Sequence, residues 1–314
     1  MYDTDHAHRQ DRSDSVGTLA GLGAYGLWGL FPLVFRLLDD VAPVEILLHR
    51  VVWSLAVVLG ILAVRRRLPE LAATRRDRRQ VRLLAVAAVL ISVNWLTYIW
   101  AVNSGHVVDA ALGYYVNPLI TVALGVFVLG EHLRIAHRVA LGLGVAAVVV
   151  LTIEHGTLPW VALVLACSFG GYGYLKKAAD VAPVPSLAIE TAVLAPLALA
   201  AFAVIGARGD LAFLHGSVGR DLLLVGLGLV TAIPLLLFAT AARRISLSML
   251  GLLQYVTPTA QLLCGVLILG ESLPPVRLAG FALIWVALVV LAVDALRTER
   301  ARRVGEGRAA SAFG

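Results

Sequence analysis

Apolar residues run along this chain in long blocks, and polar residues collect in the short stretches between them. About 20 helical residues, rising 1.5 Å each, cross the ~30 Å hydrocarbon core of a bilayer. Ten blocks of that kind can be read, at about 16–37, 44–64, 82–102, 108–129, 135–153, 157–175, 184–206, 221–242, 246–269 and 276–296. The pattern predicts an all-α polytopic membrane protein. The connections are short and leave no room for a soluble catalytic domain, so the helices must pack on one another.

Two of the blocks break their own pattern in the same way. "GYYVNPLITVALGVFVLGE" (113–131) sets Pro118 inside an apolar run beside Tyr114, Tyr115 and Asn117. "LLQYVTPTAQLLCGVLILGE" (252–271) sets Pro258 beside Gln254, Tyr255 and Thr257. At an offset of 140, residues 112–133 and 252–273 share ten identities in 22 positions without a gap, including Tyr115/Tyr255, Pro118/Pro258 and Glu131/Glu271. The same offset lays Pro183 on Pro43 and Glu190 on Arg50. The fold class is therefore ten transmembrane helices as two five-helix repeats. Five is odd, so the second repeat crosses the membrane inverted. The expected organisation is an N-terminal tail (1–15), a first repeat (16–153), an inverted second repeat (157–296) and a C-terminal tail (297–314). Inverted repeats place a substrate site near the bilayer midplane, between the halves.

Composition agrees: 60% of residues are apolar and 15% charged. The net charge of +6 does not describe a nucleic-acid-binding face, because the basic residues sit at the ends of the blocks. "RRRLPELAATRRDRRQVR" (65–82) is the densest cluster and reads as an orientation signal in contact with anionic lipid. With a cytoplasmic N-terminus, 21 of the 26 Lys and Arg fall on the inside, which predicts both termini cytoplasmic. The first 15 residues are polar and no A-x-A cleavage site follows, so they read as a tail before a retained first helix. Cys167 and Cys264 lie within apolar blocks without metal spacing and read as packing residues. No phosphate-binding GKS/T loop is present in the sequence.

Chemistry is expected where polar side chains reach membrane depth. Pro118 and Pro258 would each free the carbonyl four residues back, those of Tyr114 and Gln254. A freed carbonyl must face protein or a wet cavity. The pathway reading makes Tyr114, Tyr115, Asn117, Gln254, Tyr255 and Thr257 cavity-lining; an ordinary proline kink is the plainer alternative. Arg50 is the one Lys or Arg well inside a block, and its repeat counterpart is Glu190. Intramembrane charges are functional candidates by default, with snorkelling to an interface as the alternative. Whether the two pair, or serve as proton-coupling groups, stays open. Asn94, Trp95 and Tyr98 in the third block join the set, Asn94 with an interhelical hydrogen bond as its alternative role. Tyr172 in "SFGGYGYLKK" joins it too. The glycines there and in "GLGAYGLWG" are expected to let helices approach closely. His49, His106 and His155 read as interfacial, with no metal spacing. Glu131 and Glu271 read as boundary and packing residues, outside the site.

Blocks from nearly end to end carry a family resemblance: "AYGLWGLFP" (24–32), "EILLHRVVWS" (45–54), "NWLTYIWAVN" (94–103), "LGYYVNPL" (112–119), "SFGGYG" (168–173), "AIETAVLAPLAL" (188–199), "TAIPLLLFATAARRISLSMLGLLQYVTPT" (231–259) and "FALIWVAL" (281–288). Over about 16–296 the chain resembles EamA-type transporters of the drug/metabolite transporter superfamily, in the RarD branch. The resemblance implies a secondary transporter in the bacterial inner membrane, exporting small metabolites or drugs with protons as coupling ion. A passive channel or accessory subunit is the alternative. A membrane-embedded enzyme would need a cluster of acids, bases or metal ligands that the sequence does not supply. No cofactor is called for, and a homodimer is left open.

Overall fold

The computed structural model describes residues 2–128, 135–241, 244–245, 249–250 and 253–312, and side chains from Ser15 onward except at 154–155, 295–296 and 298–312. Among the described residues the regular structure is helical throughout. The helices are α1 (Tyr2–Gly29), α2 (Phe31–Arg36), α3 (Pro43–Val64), α4 (Leu68–Arg76), α5 (Arg78–Asn103) and α6 (Val107–Phe127). There follow α7 (Ile135–His155), α8 (Trp160–Ala179), α9 (Pro183–Arg208), α10 (Val218–Ala241), α11 (Val256–Leu263) with its π-helical continuation Cys264–Ile268, and α12 (Pro275–Ala312). Eight described helices are long and apolar enough to cross a membrane, and Val256–Ile268 is a shorter apolar helix. A chain of this kind satisfies its backbone hydrogen bonds within each segment, as lipid requires.

Local sequence explains where these helices begin. α3 and α9 start at the offset-140 prolines, Pro43 and Pro183, each in the first helical position where the missing N–H is no loss. Asp77 ends the arginine-rich linker and caps α5, its carboxylate accepting from Arg79 N and Gln80 N. Pro32 restarts the first span as α2 after the break at Leu30.

Helix pairing has the symmetry of an inverted repeat. Under exchange of the halves α1 becomes α8, α3 becomes α9, α5 becomes α10, α6 becomes α11 and α7 becomes α12. The observed contact α6–α8 maps to α1–α11, α5–α8 to α1–α10, and α3–α10 to α5–α9; all of these occur. The pairs α3–α9, α6–α11 and α7–α12 map to themselves and so lie on the axis. Glycines make two equivalent crossings possible. A Cβ on Gly29 would sit 2.5 Å from Ala260 Cβ, and one on Gly170 would sit 2.6 Å from Ile120 Cγ2. Ala260 and Ile120 are themselves 140 residues apart. The glycine-rich stretches therefore serve close helix packing.

The two prolines of the repeated block are not equivalent. Pro118 lies inside the continuous helix α6. Pro258 is the third residue of α11, because the chain turns at Gln254 and Tyr255 before the helix restarts. There its absent N–H is one of the first-turn groups that have no helical acceptor anyway. The expectation that both prolines interrupt a helical ladder is thus met in the first half only. The expected boundary residue Glu131 and the side chain of His155 lie outside the described residues.

Candidate functional site

Arg50 is 4% exposed and does not snorkel to an interface. The eighth residue of α3, it donates from Nε to Thr231 Oγ1 of α10 at 3.0 Å, a bond across the two halves. Its guanidinium carbon lies 3.9 Å from the Trp95 ring centre, 5.4 Å from that of Phe31 and 5.7 Å from that of Phe35. Cation–π contacts in a desolvated setting contribute about 2 kcal/mol, whereas a buried unpaired charge costs several. Rings and one hydroxyl therefore offset only part of the penalty. Among the described residues no carboxylate pairs with Arg50.

Next to this cation stands a polar group on α5 and α6. Asn94 is buried; its Nδ2 donates to Leu165 O and Ser168 Oγ of α8, both at 3.1 Å, and its Oδ1 accepts from Tyr114 OH at 3.2 Å. Both expectations for Asn94 are compatible with this arrangement, since the interhelical bonds hold it next to Tyr114. Tyr98, one turn along from Asn94, is 2% exposed and its hydroxyl has no hydrogen-bond partner among the described residues. Its ring packs 5.9 Å from Phe35 and 5.8 Å from Tyr114.

Glu190 is 1% exposed and pairs with Lys176, not with Arg50. Lys176 Nζ lies 2.6 Å from Glu190 Oε1, which also accepts from Ser186 Oγ at 2.7 Å; Oε2 accepts from Tyr172 OH at 3.1 Å. Lys176 also donates to Ser186. The open question of an Arg50–Glu190 pair is thereby answered: each charge has its own partners. Rings nonetheless link them. Tyr114 packs 5.9 Å from Phe169, and Phe169 6.0 Å from Tyr172. The series Phe35, Tyr98, Tyr114, Phe169, Tyr172 runs from the rings around Arg50 to the Glu190 carboxylate and crosses from the first half to the second. A cavity of about 260 Å³, lined by Arg65, Arg67, Pro183, Pro185 and Thr240 among others, opens at the start of α9, just before Ser186.

The other candidates lie apart from this series. Asn117 is half-buried on α6 against α8, its Oδ1 unpartnered and 3.5 Å from where a Gly170 Cβ would be. Pro118 is half-buried beside it. Tyr115 is in the opposite packing layer, edge-on to Phe281 and Trp285 of α12, with its hydroxyl 2.6 Å from Thr259 Oγ1 on α11. Tyr255 packs against the same layer. Thr257 and Pro258 are buried where α11 meets α1; Thr257 Oγ1 donates to Tyr25 O at 2.8 Å. Gln254 is half-buried in the turn before α11.

Four residues hold contacts that their sequence pattern does not announce. Lys176 reads there only as a charge on one side of the membrane, although its place one turn beyond Tyr172 in "YGYLKK" could have signalled a partner for Glu190. Glu45, 1% exposed, accepts from Ala212 N at 3.0 Å and Phe213 N at 2.9 Å, tying α3 to the connection between α9 and α10. Its turn neighbour His49 is buried between Phe202 and Phe213 and accepts from Trp53 Nε1, so it is a core residue, not an interfacial one. Glu271 accepts from Val107 N at 2.7 Å and Val108 N at 2.8 Å, capping α6 of the opposite half. Among the described residues no cluster of His, Cys, Asp and Glu has the makings of a metal site.

Known proteins resemble the chain at three levels. The model of the EamA-like transporter family matches it twice, over 15–153 and 158–293. Protein RarD of Streptomyces exfoliatus is 52% identical over 94% of this chain and 94% of its own length. An uncharacterized transporter of Pseudomonas aeruginosa is 43% identical, covering 90% of this chain and 95% of its own. Protein RarD of Escherichia coli is 39% identical over 90% and 96%. A solved crystal structure, 22% identical, superposes with a TM-score of 0.59 over 91% of this chain and 99% of that one.

Proposed function

The chain belongs to the EamA-like transporter family, of the RarD type, and from that premise we propose that it is a secondary active exporter of small metabolites or drugs, driven by protons. It is read as residing in a bacterial inner membrane with both termini cytoplasmic, on the arginine-rich side. The observation that carries this reading is the pair of buried, opposite charges at repeat-equivalent positions, Arg50 and Glu190, each with separate partners and joined by a run of aromatic rings across the halves. In this reading Arg50, Trp95, Tyr98 and Tyr114, with Asn94 as their anchor, face the substrate from the first half. Tyr172 and Glu190 face it from the second.

Glu190 is the group that takes the proton. While ionised it holds Lys176, Ser186 and Tyr172 together and ties α8 to α9. Protonation removes the negative charge that holds Lys176, which then turns to water, and α8 loosens from α9. Substrate and proton thus act on one bistable contact, which alternating access requires.

Purified protein in liposomes under an imposed pH gradient tests the proposal. At least one amphipathic metabolite or drug from a broad panel should accumulate against its own gradient, with matching proton counterflow. Glu190→Gln should keep downhill exchange and lose accumulation. Flux that no gradient can drive uphill, or absence of flux across the panel, would overturn it.

A further inference from the structure

Arg50 lacks something the other buried charges have. Glu45 holds two backbone N–H groups, and Glu190 holds Lys176, Tyr172 and Ser186. Arg50 uses Nε on a neutral hydroxyl and has aromatic faces around it; no described residue supplies an anion. A guanidinium carries five N–H donors arranged to grip a carboxylate with two parallel bonds. Its remaining donors meet no acceptor among the described residues. Tyr98 adds a second unfilled position, a buried hydroxyl without a partner among the described residues, on a ring packed against Phe35, which also faces Arg50. An unpaired cation and an unpaired hydroxyl beside the same rings are complementary to an anion that carries a flat apolar body.

We infer that Arg50 and Tyr98 bind the carboxylate of an aromatic organic acid, whose ring lies among Trp95, Phe35 and Tyr114. This deepens the transport reading by naming a substrate class and rests on that reading for its physiological meaning, but it is a statement about binding. The acid completes the charge balance of Arg50, so a neutral molecule of the same shape gains the ring contacts without that term. A lysine in place of Arg50 keeps the charge and loses the two-pronged grip.

Binding is measured on purified protein in detergent, at fixed chloride, by thermal shift and equilibrium dialysis. The probes are benzoate, phenylacetate and indole-3-acetate, each against its own neutral amide. At least one acid should stabilise the protein and bind more tightly than its amide. Arg50→Gln should weaken that acid at least about 30-fold, the lower edge of what removing one partner of a buried charge pair does, and leave the amide within a few-fold. Arg50→Lys should fall between, and Tyr98→Phe, which removes one hydroxyl, guards against a folding artefact at position 50 by weakening the acid alone. Acids no better than their amides throughout the panel, or acid binding unchanged in both Arg50→Gln and Tyr98→Phe, would overturn the inference. Acid binding without gradient-driven flux would leave it standing and sink the transport reading. Uphill flux of neutral compounds with no preference for acids would do the reverse.

Discussion

Replacing Glu271 by glutamine tests whether the two halves are held by a carboxylate on a helix end. Glu271 spans Val107 N and Val108 N at 2.7 and 2.8 Å. Both are first-turn N–H groups of α6 with no acceptor in their own helix. The glutamine side chain keeps the shape and can accept at one oxygen, but its amide nitrogen then faces the other N–H, donor to donor. Losing one bond to a charged acceptor costs about 1.5–3 kcal/mol. Removing the negative charge from the positive end of α6 adds about 0.3–1 kcal/mol. The sum is about 2–4 kcal/mol. Scaled to a chain of this length, each kcal/mol moves Tm by about 1.5 °C, so the expected loss is about 3–6 °C. Fluorescence-monitored melting in detergent reads it, with the exposed neighbour Ser272→Ala as control. A Glu271→Gln protein that melts within about 1 °C of the parent, or a control that falls as far, would refute the reasoning.

Other substitutions probe other contacts. Gly113→Val puts a Cβ 2.8 Å from Ala162 O and 2.9 Å from Leu165 Cβ, so α6 and α8 must separate; a loss of about 1–3 kcal/mol is expected by thermal melting, and an unchanged Tm would count against that close approach. Glu190→Gln removes the charge that holds Lys176 and should destabilise by about 2–3 kcal/mol, below the usual figure for a buried pair because Lys176 is partly exposed and turns to water. Adding Lys176→Met should restore most of that loss in a double-mutant cycle, and strict additivity of the two effects would argue that they do not interact. Tyr115→Phe removes the bond to Thr259 and should cost about 1 kcal/mol, while Thr259→Val in the same background should add only the small effect of losing the hydroxyl's bond back to Tyr255 O in its own helix.

The sequence carries the architecture because its signals are long and repeated: helix-length apolar blocks, a gapless 140-residue echo, and arginines on alternate connections. Arg50 and Glu190 are legible for the same reason, being charges where the pattern forbids them. Their partners are not. Whether Glu190 meets Arg50 or Lys176 depends on how α3, α8 and α9 are rotated about their own axes, which the sequence pattern does not set. The meaning of Pro258 depends on a turn at Gln254 and Tyr255, just upstream, which the similar neighbourhood of Pro118 does not make. Tyr115 and Tyr114 are adjacent in sequence yet point into different layers, since neighbours in a helix are about 100° apart. Glu45 is hidden by its partners, two backbone N–H groups in a distant connection that no side-chain pattern announces.

The Tyr115–Thr259 bond has a consequence for how the molecule rests. Transport by inverted repeats requires each half to take up, in turn, the conformation the other had. Exchange of the halves carries Tyr115 onto Tyr255 and Thr259 onto Leu119, and leucine accepts no hydrogen bond. The bond therefore exists in one arrangement and has no counterpart in its mirror. At about 1 kcal/mol it would weight the two arrangements roughly fivefold, so an exchange of the halves would start from a preferred side.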